Sequence, residues 1–294
     1  MGKDIQGARH CLQVGAACEA IYESLLPAAE REEFVLTLGG DHSIPLGTLP
    51  AILEKRPKTK VVWVDAHADL NTPLTSGSGN MHGQPLGLLT RGVYPPGVNS
   101  LPGFDWLQCV SRGTSAAVVG LLALSSSSRI LSPPPHPTPP HPTPPHPIPP
   151  HPTPPHPIPS HPTPSYPRPC LDPSDIIYIA LRDVDKYEKA FIRDLGIEAY
   201  TMFDIDRLGI GAVMERVLRT VGEESNIHLS FDIDACDPFY APSTGTKVGG
   251  GLTFREAHFI CESLADTRRL TSMDMVEVGM GAEAGAAVVA VGAA

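Results

Sequence analysis

The sequence predicts an α/β fold in three layers, α/β/α, on a mostly parallel, doubly wound sheet interrupted by a disordered Pro-rich insertion. Three observations predict it. Short apolar runs such as Val61-Val62-Trp63-Val64 and Ile176 to Leu181 lack polar alternation, so both faces of each strand are expected to be covered. Segments with apolar residues at helical spacing separate them, and strands alternating with amphipathic helices imply parallel crossover connections. Polar clusters follow several runs, at the carboxyl ends of strands where such sheets hold ligands.

From Gly7 to Leu26 apolar residues recur at helical spacing, and Glu30-Arg31-Glu32-Glu33 reads as a polar joint before the buried strand Phe34 to Leu38. Gly39-Gly40 ends that strand and permits close backbone approach. Ser43 is placed to cap a helix running to about Lys55. Val61 to Val64 is the next strand, stopping at Asp65, and a Gly/Ser/Asn/Pro-rich stretch from Asn71 to Gln84 precedes a short helical pattern to about Arg91. Beyond the interruption the alternation resumes: strand Ile176 to Leu181, helix Lys186 to Leu195, strand Ala199 to Phe203 and helix Gly211 to Val221. Strand Ile227 to Phe231, helix Thr253 to Ala265 and strand Met273 to Val278 follow. Residues 1–108 and 171–278 thus read as two parts of one α/β domain, 109–170 as an insertion and 279–294 as an atypical Ala/Gly tail.

Most of the 33 prolines lie between Pro133 and Pro169, where His136, His141, His146, His151, His156 and His161 recur every five residues. Proline fixes φ and removes a donor, so extended polyproline II or a solvated, disordered loop is expected. Evenly spaced histidines could also hold a metal loosely, and PxxP matches could dock on SH3-like grooves. A further expectation is that the segment is translated intron, since Phe104 to Gln108 would join Leu171 to Asp175 smoothly without it.

Twenty-two Lys and Arg against 32 Asp and Glu give a formal charge of −10. That balance disfavours nucleic acid or an anionic membrane as partner and suits a cationic small substrate. No run of 18 apolar residues suggests a membrane span, and the start lacks an apolar stretch with a cleavage site. The six scattered cysteines, with no C-x-x-C, predict a reducing, intracellular compartment without structural disulfides.

Three clusters carry the chemistry. In Asp65-Ala66-His67-Ala68-Asp69, alternate residues are metal-capable, and an extended strand would send all three side chains from one face. Asp232-Ile233-Asp234 repeats that period, and His42 stands at a third strand end. Two imidazoles and four carboxylates suit two divalent cations of borderline hardness, manganese better than oxygen-bound magnesium or thiolate-bound zinc.

Gly39-Gly40-Asp41-His42-Ser43, Asp65 to Asp69 and Ser230-Phe231-Asp232-Ile233-Asp234 resemble the three signatures of the ureohydrolases, and within them the arginases. The resemblance covers nearly everything except the Pro segment and the last 16 or so residues. It implies a three-layer fold with two Mn2+ per subunit. His42, Asp65, Asp69 and Asp232 would hold one ion, and Asp65, His67, Asp232 and Asp234 the other. A hydroxide shared by cations about 3.5 to 4 Å apart would attack the guanidinium carbon of L-arginine, yielding L-ornithine and urea. Asp69 would pass a proton to the departing amine, His82 resembles a proton shuttle, and Glu277 matches the glutamate that pairs with the guanidinium.

By the same resemblance Asn71, Ser78 and Asn80 would donate to the substrate α-carboxylate, Asp185 with Glu188 would face its α-ammonium, and Thr246 would stand behind the ligands. Agmatine would then be a poor substrate. Cytoplasmic residence, with a mitochondrial one left open, and a homotrimer are also implied. The chain departs from the family pattern in having only about 40 residues before His42, so that a central strand is expected to be missing, and in the tail after Val278. Two alternatives therefore stand beside an active arginase: a non-catalytic fragment or truncated gene product, and an amidinohydrolase acting on agmatine or guanidinobutyrate.

Overall fold

A computed structural model describes residues 7–93, 101–107 and 171–279, together with the backbone of 288–292. The expected Pro/His-rich insertion, 109–170, lies outside the described residues. The strands are β1 (Phe34–Leu38), β2 (Thr59–Val64), β3 (Ile176–Leu181), β4 (Glu198–Thr201), β5 (Asn226–Asp232), β6 (Leu270–Val276) and β7 (Val288–Gly292). The helices are α1 (Cys11–Glu30), α2 (Pro45–Lys55), α3 (Pro85–Leu89), α4 (Lys186–Leu195), α5 (Met202–Leu208), α6 (Ile210–Val221) and α7 (Phe254–Asp266). They form a seven-stranded sheet in the order β4-β3-β2-β5-β6-β1-β7. The first six strands pair in parallel, while β7 runs antiparallel to β1.

The three expected layers follow from the two-residue period of the strands. Val61, Trp63, Ile176 and Tyr178 pack on one face with Leu46 and Leu49 of α2, Leu86 of α3 and Phe191 of α4. Val62, Val64, Ile177 and Ile179 pack on the other with Val213 and Val217 of α6 and Ile260 of α7. Each fully buried Val, Leu or Ile side chain is worth about 1.5–3 kcal/mol, which is why these runs carry no polar residue. Among the described residues no helix is long and apolar enough to cross a membrane, and Cys11, Cys18, Cys236 and Cys261 are free thiols.

Several boundaries differ from the sequence reading. Helix α1 continues to Glu30, because Leu25, Ala28 and Ala29 bury against Val35, Ala51 and Ile52 and outweigh the polar signal of the joint. Ile44, not Ser43, precedes α2; Pro45 opens that helix and has no N–H to satisfy. The strand expected to reach Phe203 stops at Thr201, whose side chain forms a capping box with Asp204 and starts α5. Part of the atypical tail, Val288–Gly292, lies along the outer edge of β1, from Leu38↔Val288 to Phe34↔Gly292.

From β2 the chain steps to β3 on one side, whereas from β5 it steps to β6 on the other. The neighbours β2 and β5 therefore flank the point where winding reverses, and a crevice opens beyond their carboxyl ends.

Candidate metal centre

At that crevice the chain does not stay extended, as the alternation of Asp65, His67 and Asp69 suggested. After Val64 it bends, and Asp65 Oδ1 accepts the His67 N–H at 2.7 Å. Past β5, Asp232 Oδ1 likewise accepts the Asp234 N–H at 2.7 Å, closing a 3-10 turn over Ile233–Ala235. The first aspartate of each pair thus folds its own turn, as Asp side chains do. Asp69 has φ 49°, a left-handed conformation held by Leu86 and Gly87 N–H groups that donate to its carbonyl at 3.0 and 3.3 Å. Gly87 is needed there, since a Cβ would come within 1.8 Å of the Asn71 carbonyl oxygen.

These bends bring all six predicted ligands together. His42 Nδ1 lies 2.9 Å from Asp65 Oδ2, 3.0 Å from Asp69 Oδ2 and 3.2 Å from Asp232 Oδ2. His67 Nδ1 lies 3.1 Å from Asp234 Oδ2 and 3.4 Å from Asp65 Oδ1. Two ligand groups result, His42–Asp65–Asp232 and Asp65–His67–Asp234, joined through the two oxygens of Asp65.

Neighbouring side chains aim these ligands. Ser230 Oγ lies 2.8 Å from His42 Nε2, the Trp63 ring stacks on the imidazole at 4.1 Å, and Trp63 Nε1 donates to Asp65 Oδ2 at 3.1 Å. Thr246 Oγ1 donates to Asp234 Oδ2 at 2.7 Å. Trp63 and Ser230 were not singled out from sequence. The signal was there: each lies two residues before a ligand aspartate, hence on the same strand face.

The electrostatics are those of acids crowded out of water. Burial and the Asp65 charge push Asp69 up to about 7, and the same causes raise Asp232 well above the carboxylate range. Burial alone would drive His42 and His67 toward neutrality, yet the carboxylates outweigh it, raising His42 well above its usual value and His67 to about 11. Such a donor set fits divalent cations, whose charge offsets the mutual repulsion of the acids.

Above the ligands a cavity of about 230 Å³ is lined by His82, Glu277, Asn71, Asp185, Glu188 and Thr246, besides ligands and Asp183. Glu277 lies just past β6, not within it, at φ 57°. Its Oε1 accepts the His42 N–H at 3.0 Å and faces His82 Nδ1 at 3.2 Å. Asp185 caps α4 in a capping box with Glu188, and Asn71 Nδ2 donates to Asp185 Oδ2 at 2.8 Å. Burial pushes Glu188 up to about 8. Ser78 and Asn80 are not among the lining residues; Ser78 Oγ accepts the Asn80 N–H at 3.2 Å. Asp183, 3.7 Å from His67 Nε2, is a lining residue to which the sequence reading gave no role.

His82 and Glu277 titrate as partners. The contact with Glu277 raises His82; burial works against ionisation of Glu277, but His82 and the His42 amide hold it low. The His82 contribution to stability is full below 6.5 and fades as pH rises through its raised value. The Glu277 contribution is full above 4.5 and fades as pH falls through its lowered value. Glu277→Gln is therefore expected to return the His82 pKa toward 6.5, read from its ring-proton NMR titration; an unmoved titration would refute the pairing.

Residues 3–293 match the arginase family. The hepatic arginase of Aquarana catesbeiana is 38% identical over 275 residues, which are 93% of this chain and 66% of the frog protein. Neurospora crassa arginase is 39% identical over 270 residues, 90% of this chain and 58% of the fungal one. The chain thus spans less than two thirds of the length of either relative. Among solved structures, arginase from Bacillus caldovelox superposes with a TM-score of 0.68 at 32% identity, over 95% of this chain and 73% of its own. Entamoeba histolytica arginase in complex with L-ornithine gives 0.66 at 26% identity, over 95% and 74%. A match that runs through the sheet as well as the ligand-bearing strand ends makes this chain a member of the arginase family.

Proposed function

We propose that the chain hydrolyses L-arginine to L-ornithine and urea with two Mn2+ in this centre. The observation that carries the reading is the pair of ligand groups sharing Asp65 at the base of a cavity walled by Asp185, Glu188 and Glu277. An acidic wall suits a substrate with a guanidinium at one end and an ammonium at the other. The relatives named arginases, and the solved arginase that holds L-ornithine, favour the same substrate class.

His42, Asp65, Asp69 and Asp232 would hold one ion, and Asp65, His67, Asp232 and Asp234 the other. When bound, such cations make water acidic enough to act as a nucleophile near neutral pH. Glu277, kept ionised by His82 and the His42 amide, pairs with the guanidinium and orients its carbon. Asp69, whose Oδ2 lies 3.0 Å from His42 Nδ1 within the cluster, is placed to pass a proton to the amine that leaves as ornithine. His82, partly exposed at the cavity wall, exchanges protons with solvent. Asp185 and Glu188 face the α-ammonium; Asn71 gives one N–H to Asp185 and keeps the other for the α-carboxylate. Purified chain loaded with Mn2+ is expected to release urea and ornithine from L-arginine in equal amounts. Stoichiometric metal uptake without urea would sink the reading.

A further inference from the structure

We propose that Arg182 is a positioning residue for the ion held by Asp65, His67 and Asp234, an inference that rests on the two-ion reading above. Its main chain fastens the bend after β2, and its guanidinium fastens the turn after β5. Beyond the pairing of β2 with β5 and the Ala66 N–H given to Asp234 Oδ1 at 3.3 Å, one residue thereby ties the two candidate ligand segments together.

The N–H groups of Arg182 and Asp183 both donate to the carbonyl of Ala66 at 2.9 Å, between Asp65 and His67. In the other direction Arg182 Nη2 donates to the Asp234 carbonyl at 2.6 Å and Nη1 to that of Ala235 at 3.1 Å. These carbonyls close the 3-10 turn bearing Asp234, where Ala235 also accepts the Leu252 N–H at 2.9 Å. Nη2 also reaches the Val248 carbonyl at 2.8 Å, so the strap beyond Thr246 is held by the same group. Two local features serve this reach. Ala180 has φ 77° at a register shift between Ile179 and Leu181, and such bulges re-aim side chains beside active sites. Gly251 leaves room for the guanidinium and the turn alike, since a Cβ there would come within 2.6 Å of Nη2, of the Ala235 carbonyl oxygen and of the Asp237 nitrogen.

The two residues particular to the other ion are anchored elsewhere: His42 by Glu277 and Ser230, Asp69 by α3. Loss of Arg182 should therefore loosen one ion selectively. Lysine offers a point charge without the planar fork, so Arg182→Lys should fall between wild type and Arg182→Met.

The test is equilibrium dialysis of the full chain over a range of free Mn2+, with bound metal counted by plasma mass spectrometry and tertiary structure followed by near-ultraviolet circular dichroism. Wild type is expected to bind two ions. Arg182→Met should keep one at unchanged affinity and bind the other about 10- to 100-fold more weakly, the usual effect of removing a group that orients ligands. Arg182→Lys, which keeps a cation and most of the side-chain volume at the turn, should act in the same direction and serves as the probe if Arg182→Met does not fold. Two ions at wild-type affinity in the variants, or equal weakening of both, overturns the inference alone. A well-folded wild type that takes up no Mn2+ overturns the proposed function and this inference with it.

Discussion

Replacing Asp232 with alanine should leave no more than one Mn2+ per chain and lower urea release by more than about 100-fold, beyond the 10- to 100-fold typical of an outer partner. The size of the effect follows from two tasks performed by one carboxylate. Its Oδ2 stands 3.2 Å from His42 Nδ1 within the ligand cluster, and its Oδ1 accepts the N–H that folds the Asp234 turn. Alanine removes a donor and also frees the turn. Asp232→Asn separates the tasks, because an amide oxygen can still accept that N–H while the ligand charge is gone. Asparagine should therefore keep the turn yet bind metal poorly. Burial beside Asp65 makes the Asp232 charge unwelcome without a cation, which in chelator offsets part of the stability lost with the turn. Wild-type turnover and two bound ions in the alanine variant would remove the basis for the proposed centre.

Arginine should be preferred over agmatine by about 10³-fold in kcat/KM. Sites built to hydrogen-bond a polar group can reject analogues lacking it by 10⁴–10⁵. The smaller figure reflects how few partners the cavity offers the carboxylate, since Asn71 lines it and Ser78 and Asn80 do not. Asp185→Asn is the informative variant. Asp185 Oδ1 accepts the N–H groups of Tyr187 and Glu188 at 2.8 and 3.1 Å, and an amide oxygen preserves that helix cap while removing the charge. KM for arginine should rise with kcat less affected, because the contact is made in ground state and transition state alike. Equal rates on arginine and agmatine would move the chain to a different amidine substrate.

The candidate ligands stood out because each belongs to a short pattern at the end of an apolar run, and a parallel sheet lines up such ends along one edge. The bends were not legible. A two-residue period is the same whether the chain stays extended through Asp65 and His67 or folds back on an aspartate cap, and only the latter packs His67 against Asp234. Helix α5 escaped notice for a similar reason: Met202 and Phe203 look like strand residues until Thr201 is seen to bond with Asp204. The valines of β7 are unremarkable as a tail and become a strand through pairing with β1.

By itself the sequence determined the layer order, the polarity of the sheet edge and the set of side chains able to hold a cation, since these depend on local periodicity and on residue chemistry. Tertiary structure alone decided how those side chains meet. His42 and Glu277, His82 and Glu277, and Arg182 with the Asp234 turn join segments far apart along the chain. Their separation is set by strand order, by the backbone conformations of Asp69, Ala180 and Glu277, and by packing on both faces of the sheet. Local patterning carries no information about distances of that kind, because they arise only when the whole sheet closes around its core.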